Sequence, residues 1–220
     1  MKNLKRLSIT IVTHVYATGP SFKLEDYLKN KVASLIFIGH PFSFSSDTRS
    51  FVRVYKKGKL VHSEKFIYWR GPDPLFYLKD MLLTLFWSFK YGKHQDYFIG
   101  VNNFNVFSGY LLNILGKGGK IIFYTIDYIP QRFPNNFLNS IYHFLDDLAV
   151  KKSHKVWNLS GVIVTERKKR GISEKYKNKQ IVVPIGTDMG KKILSYKNID
   201  RYKIVFMGHL REGQGVEMLI

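Results

Sequence analysis

Tyr202-Lys203-Ile204-Val205-Phe206-Met207 is an apolar, β-branched run that follows a polar segment, and it predicts a buried strand. Gly208-His209-Leu210-Arg211-Glu212-Gly213-Gln214-Gly215 follows as a glycine-punctuated turn, and Val216-Glu217-Met218-Leu219-Ile220 starts an amphipathic helix. A strand, a glycine-rich turn and a helix start make the opening βα unit of a nucleotide-binding α/β domain. A lone strand with one helical turn cannot build a core. The stretch therefore predicts a chain with one whole domain and the first elements of another.

Working upstream, the pattern alternates. Leu7 to Val12 is a β-branched first strand, followed by a loop from His14 to Ser21 and a charged amphipathic helix from Phe22 to Lys31. Ser34 to Ile38 is a second strand, and Phe51–Tyr55 and Lys59–Phe66 form a hairpin around Lys57-Gly58. Asp73 is expected to cap a long helix, Pro74 to Tyr91, with proline at its first position. Strands at Asp96–Val101, Gly119–Ile126, Lys155–Leu159 and Gln180–Val183 alternate with helices at Phe104–Leu115, Asn135–Lys151 and Ser160–Arg170. This order implies an α/β fold, a Rossmann-like, mostly parallel sheet covered on both faces. Residues 1–189 read as the first domain, 190–201 as a polar linker, and 202–220 as the start of the second.

The chain carries a formal net charge of +19, so it favours an anionic partner: nucleic acid, an anionic membrane face or a phosphorylated substrate. The excess is uneven, with twelve Lys or Arg against three Asp or Glu over residues 151–192. There is no cysteine, which excludes disulfides and thiolate metal sites and is compatible with a reducing cytoplasm. The N-terminus lacks the apolar region of a secretory signal, and no window reaches the roughly 18 apolar residues of a spanning helix. Membrane contact is then expected to be peripheral, on the inner face. The helix from Pro74 to Tyr91, rich in Leu, Phe and Trp with Lys79, Lys90 and Lys93 nearby, either lies in a bilayer interface or packs against the sheet.

Pro184-Ile185-Gly186-Thr187-Asp188 follows the strand Ile181-Val182-Val183 and by itself is only a turn. In that order and spacing with the strand at 202 and the turn at Gly208, it resembles the interdomain crossing of group 1, retaining glycosyltransferases of the GT-B fold. Tyr124-Thr125-Ile126-Asp127-Tyr128 resembles the strand end where those enzymes place a polar step facing the cleft, and Trp157-Asn158-Leu159-Ser160 resembles a later strand end whose serine faces it. The loop around Gly19 is similar in place to the family's glycine pair, although here it is Gly19-Pro20. Ile126 stands where many members have histidine, and His209 and Gln214 stand where Arg and Lys often meet the donor pyrophosphate; Arg211 is the cation nearby.

The resemblance implies a metal-independent enzyme that moves a sugar from a nucleotide-sugar donor to a glycan or lipid-linked acceptor. This chain would supply the acceptor side and be inactive alone. Gly19, Gly208, His209, Arg211 and Gln214 would face the donor, and Tyr128, Arg132, Ser160 and Arg167 the acceptor. Asp127, at the carboxyl end of a central parallel strand, would orient an acceptor hydroxyl or act as base; its bland alternatives are a helix cap or a partner for Arg132. Arg167 sits in Arg167-Lys168-Lys169-Arg170, which otherwise reads as a solvated helix face, and His14 otherwise reads as a loop hydrogen-bonder.

No metal cofactor is expected, since the seven histidines lack ligand spacing. A P-loop and a Gly-x-Ser-x-Gly elbow are absent. Two rivals stand beside this reading: a non-catalytic basic α/β module on nucleic acid or anionic membrane, and an epimerase or phosphorylase on the same scaffold. Nucleic acid is not the expected partner, because no recognition helix, RNP-type motif or zinc finger occurs.

Overall fold

The computed structural model describes residues 3–15, 19–66, 68–172, 174–186, 197 and 200–206. The chain divides into two compact units, Met1–Gly186 and Thr187–Ile220. The first unit is built on β1 (Ser8–Val15) and β2 (Ser34–Pro41), whose interior residues are all buried. Strands covered on both faces read as near-continuous apolar runs, which is how both appear in the sequence. Between them lies α1 (Pro20–Lys29), with Pro20 at a position where its missing N–H costs nothing.

β3 (Phe51–Lys56) and β4 (Lys59–Lys65) form the expected hairpin. Lys57 and Gly58 take φ of 47° and 82°, the left-handed pair that a tight two-residue turn requires. Then come α2 (Asp73–Tyr91), β5 (Tyr97–Val101), α3 (Asn103–Ile114), β6 (Lys120–Thr125), α4 (Asn136–Lys152), β7 (Lys155–Asn158), α5 (Gly161–Lys169) and the short β8 (Gln180–Val182).

The eight strands form one sheet in the order β4-β3-β2-β1-β5-β6-β7-β8. Only β3 and β4 run antiparallel to their neighbours; β2, β1, β5, β6, β7 and β8 are parallel. The fold is thus α/β, Rossmann-like and mostly parallel, as the alternation predicts. The chain builds first to one side of β1 and then to the other, so the topological switch lies between β1 and β5. In open α/β sheets, ligands bind outside the carboxyl ends of the strands at such a switch.

Alternation along β1 sorts the core. Ile9 and Ile11 pack with Leu28 of α1, Leu35, Phe37 and Ile99 on one face. Val12 packs with Ile36, Ile38, Leu83, Trp87 and Phe98 on the other, beneath α2 and α3. A third cluster, Val106, Ile121, Phe123, Ala149 and Val156, seats α3 and α4. α3 sits very close to β5: a Cβ on Gly100 would meet Val106 at 2.7 Å, and one on Gly109 would meet the Phe98 ring at 2.4 Å. On the first face Glu25 of α1, buried, takes hydrogen bonds from Arg53 Nη2 at 2.6 Å and Tyr55 OH at 2.9 Å.

Several expectations are corrected. Asp73 is the first residue of α2 and not its cap; Pro72 takes the cap position and makes no side-chain bond there. An acid in the first turn still suits the helix dipole. β1 runs through His14, which therefore belongs to the sheet and not to a loop. In the second unit Tyr202–Phe206 are exposed and form no strand, only a turn in which Tyr202 N donates to Asp200 Oδ1 at 3.1 Å. Among the described residues no strand pairs with this run. Met207 to Ile220, with the glycine turn and helix start, lie outside the described residues.

Candidate functional site

The carboxyl ends of β1, β5, β6 and β7 line one edge of the sheet, and the sequence-predicted site residues are distributed along it. At the end of β6, Asp127 is half exposed and Arg132 Nη1 donates to its Oδ2 at 2.8 Å. The turn that carries Arg132 is tied down by Asn139 of α4, whose Oδ1 accepts from Arg132 N at 2.9 Å. Burial works against the Arg132 charge, and the Asp127 carboxylate more than offsets it, so the guanidinium is held protonated. This is the ion-pair alternative for Asp127, on an edge still open to a ligand.

Beside the pair, Tyr128 OH accepts from Arg170 Nε at 3.0 Å, and Arg170 Nη2 donates to Asp147 Oδ1 at 2.6 Å. Burial pushes the Tyr128 phenol up and Arg170 pulls it back, leaving it raised. Ser160 is exposed at the end of β7 and caps α5 by position, with its hydroxyl making no capping bond. Gly19 caps α1 in an extended conformation, φ −173°, which any residue adopts. Among the described residues a Cβ there would meet only Ser21 Oγ, at 3.8 Å, an ordinary contact, so neither backbone nor packing calls for glycine at this position. Gly208, His209, Arg211 and Gln214, the other expected donor contacts, lie outside the described residues.

Arg167 corrects the expectation of a solvent-facing run. It is fully buried, with Nε and Nη2 on the two oxygens of Asp146 at 2.8 and 2.7 Å. Nη1 donates to Asn158 Oδ1 at 2.7 Å, and Nη2 also reaches Thr125 Oγ1 at 2.9 Å. A planar fork with every side answered suits burial, and it leaves nothing to hold an acceptor. Arg167 instead ties α4 and α5 to the ends of β6 and β7. It acts on the edge through Tyr128, whose ring lies 5.3 Å away.

A second polar cluster lies under the switch point, and the sequence did not reveal it. His14 Nδ1 meets Asn102 Nδ2 at 3.0 Å and Asn105 Nδ2 at 3.3 Å, while its Nε2 lies 3.3 Å from Asp80 Oδ2. Asp80, on the inner face of α2, also takes Ser50 Oγ at 3.1 Å and Lys79 Nζ at 3.0 Å. His40 Nδ1 contacts Ser50 Oγ at 3.0 Å and its Nε2 meets Thr84 Oγ1 at 2.8 Å.

Burial pushes the Asp80 carboxyl up, but the His40 and His14 imidazoles beside it pull further the other way and hold it below the usual carboxylate range. Burial lowers His40 by more than Asp80 raises it. Asn102 is held at φ 79° and ψ 164°, a region that strains any residue but glycine. Its side chain accepts from Asn105 N at 3.0 Å and so caps α3. The cluster thus fixes the β5–α3 turn at the switch point, with Asp80 and both imidazoles buried.

A cavity of about 510 Å³ lies at the opposite, amino end of the sheet, lined by Ser8, Ser34, His62, Lys90 and Gln95 among others. It touches none of these residues, and in this fold the chemistry belongs to the carboxyl edge. Among the described residues no group of acidic and histidine side chains has the arrangement of a metal site.

No family model matches the chain, and no curated protein matches it. Among solved structures it is similar to the catalytic domain of Starch Synthase IV from Arabidopsis thaliana bound to ADP and acarbose, with a TM-score of 0.53. The chain shares that domain's fold. The two are 12% identical over 82% of this chain, which spans 52% of that one. A likeness at that identity is one of architecture, and function is argued from the site.

Proposed function

We propose that the protein is a retaining glycosyltransferase of the group 1, GT-B type, moving a sugar from a nucleotide-sugar donor to a glycan or lipid-linked acceptor without a metal. Residues 1–189 supply the acceptor side of the reaction. The observation that carries the reading is the Asp127–Arg132 pair, half open at the carboxyl edge of the sheet, next to the switch point. It stands on a fold shared with a domain solved with ADP and acarbose.

Asp127 accepts a hydrogen bond from the acceptor hydroxyl and orients it, while Arg132 fixes the carboxylate. Tyr128 and Arg170 form the neighbouring wall, an arginine placed for a phosphate or a sugar hydroxyl. Ser160 caps α5 just past β7, and Gly19 caps α1 after β1, so both stand on the chain where those strands end. Arg167 and Asp146 hold that wall in place and touch no ligand.

Two measurements test this. Calorimetric titration of the chain with linear oligosaccharides and with short polyprenyl-phosphate sugars reads the acceptor side, and Asp127→Asn weakens binding by about tenfold. Transfer of radiolabel from nucleotide sugars to the acceptor that binds reads the reaction. If no acceptor binds and no label moves, the proposal fails. Tight, steeply salt-dependent binding to DNA of any sequence would favour the nucleic-acid module instead.

A further inference from the structure

α2 is apolar on two faces, and only one of them meets the protein. Phe76, Leu83 and Trp87 are buried against the sheet. On the opposite side Leu75, Leu78, Leu82, Phe86 and Phe89 are 43–54% exposed and follow one another at spacings of three and four residues. That spacing draws a continuous stripe along the helix, about 21 Å long at helical rise. Ile114 and Leu115, at the end of α3, are also exposed, and Lys117 just beyond them lies with its Nζ 6.0 Å from the Phe89 ring. The end of α3 therefore extends the patch sideways. Contiguous apolar surface of this kind marks a docking face.

The border of the stripe is cationic. Lys90 Nζ lies 5.4 Å from the Phe86 ring, Lys117 lies against Phe89, and Lys93 follows, exposed, after the helix. The carboxylates of α2 are elsewhere: Asp80 is buried on the inner face and Asp73 is in the first turn. Glu64 reaches Lys90 at 3.4 Å from the hairpin side. A second copy of the chain would bring a like charge of +19 to the same place, which disfavours self-association.

We infer that this face of α2 lies on an anionic lipid bilayer, the stripe entering the headgroup boundary in the plane of the membrane and the lysines meeting lipid phosphates. No helix among the described residues is long and apolar enough to cross a membrane, and an in-plane contact needs none. The inference stands on surface chemistry alone and survives or fails separately from the sugar-transfer reading.

Flotation of the chain with phosphatidylcholine vesicles, and with vesicles also containing phosphatidylglycerol, tests it. The chain is expected to float with the anionic vesicles and only weakly with the neutral ones. Leu82→Glu with Phe86→Glu lowers the bound fraction about tenfold, and Lys93→Glu with Lys117→Glu removes the anionic preference. Both replace exposed side chains, so unchanged melting curves show that the variants fold. Wild type that floats with neither vesicle overturns the inference, as does a stripe variant that floats like wild type. A wild-type dimer in sedimentation equilibrium, broken by the stripe variant and indifferent to vesicles, would assign the face to a second copy and also overturn it.

Discussion

The two flanks of the sheet bury a carboxylate in contrasting ways. Under α5, Asp146 is answered by Arg167, a permanent cation in a two-pronged contact, with Thr125 and Asn158 completing the fork. Under α2, Asp80 is answered piecemeal by Lys79, Ser50 and two imidazoles, each imidazole 3.3 Å away. The first arrangement is a planar fork bonded along two prongs to one carboxylate. The second includes His40, an imidazole that burial shifts downward. One flank is a fixed clamp beneath the acceptor wall; the other is a network whose balance shifts with acidity.

The sharpest way to break this comparison is to cut the clamp. Arg167→Leu strands the buried Asp146 and is expected to cost roughly 3–5 kcal/mol in urea unfolding. Joining it to Asp146→Leu should restore much of the loss, since a paired apolar replacement leaves no orphaned charge. A cost below about 1 kcal/mol for the single change would mean that water replaces the guanidinium. Asp80→Asn is milder, about 1–3 kcal/mol, because its contacts are spread over several single hydrogen bonds and a lysine with some access to water.

Acid should find the α2 flank first. His40 titrates lower in the folded chain than its ordinary 6.5, so the unfolded chain takes up the proton before the folded one does. Its contribution is complete above about pH 6.5 and is lost as pH falls below that toward the folded value. Asp80, also depressed, contributes above the ordinary carboxylate value of 3.8 and matters only in stronger acid. The melting temperature of wild type should therefore drop between pH 7 and pH 5, and His40→Gln should flatten that slope while lowering stability at pH 7. Equal slopes in the two proteins would remove His40 as the sensor. The smallest effect is at the edge itself: Asp127→Asn breaks a solvent-screened pair and should change stability by about 1 kcal/mol or less.

The sheet was readable because its signals are local. β-branched runs, the Lys57-Gly58 turn and Pro74 in a first turn each act within a few residues, and the helices and strands of the first unit fall within a few residues of their expected bounds. Asp127 and Tyr128 were legible for a similar reason, standing just past a strongly apolar strand. The two buried networks were not. Arg167 meets groups from β6, β7 and α4, and Asp80 meets groups from β1, β2 and the segment before β3; no short window of sequence joins them. A basic run at helical spacing says only that the helix is charged, and one of its four cations turned inward. Tyr202–Phe206 shows the converse, an apolar run with strand-forming residues that pairs with no strand among the described residues.

The outer strands of the sheet also bear on how the protein behaves when concentrated. β4 offers Lys59, His62, Glu64 and Lys65 along its length and slips register beside Val54 and Tyr55, and β8 is three residues long. Charged, irregular or very short rims are poor templates for a further strand. Growth of the sheet from chain to chain is thereby discouraged at both ends.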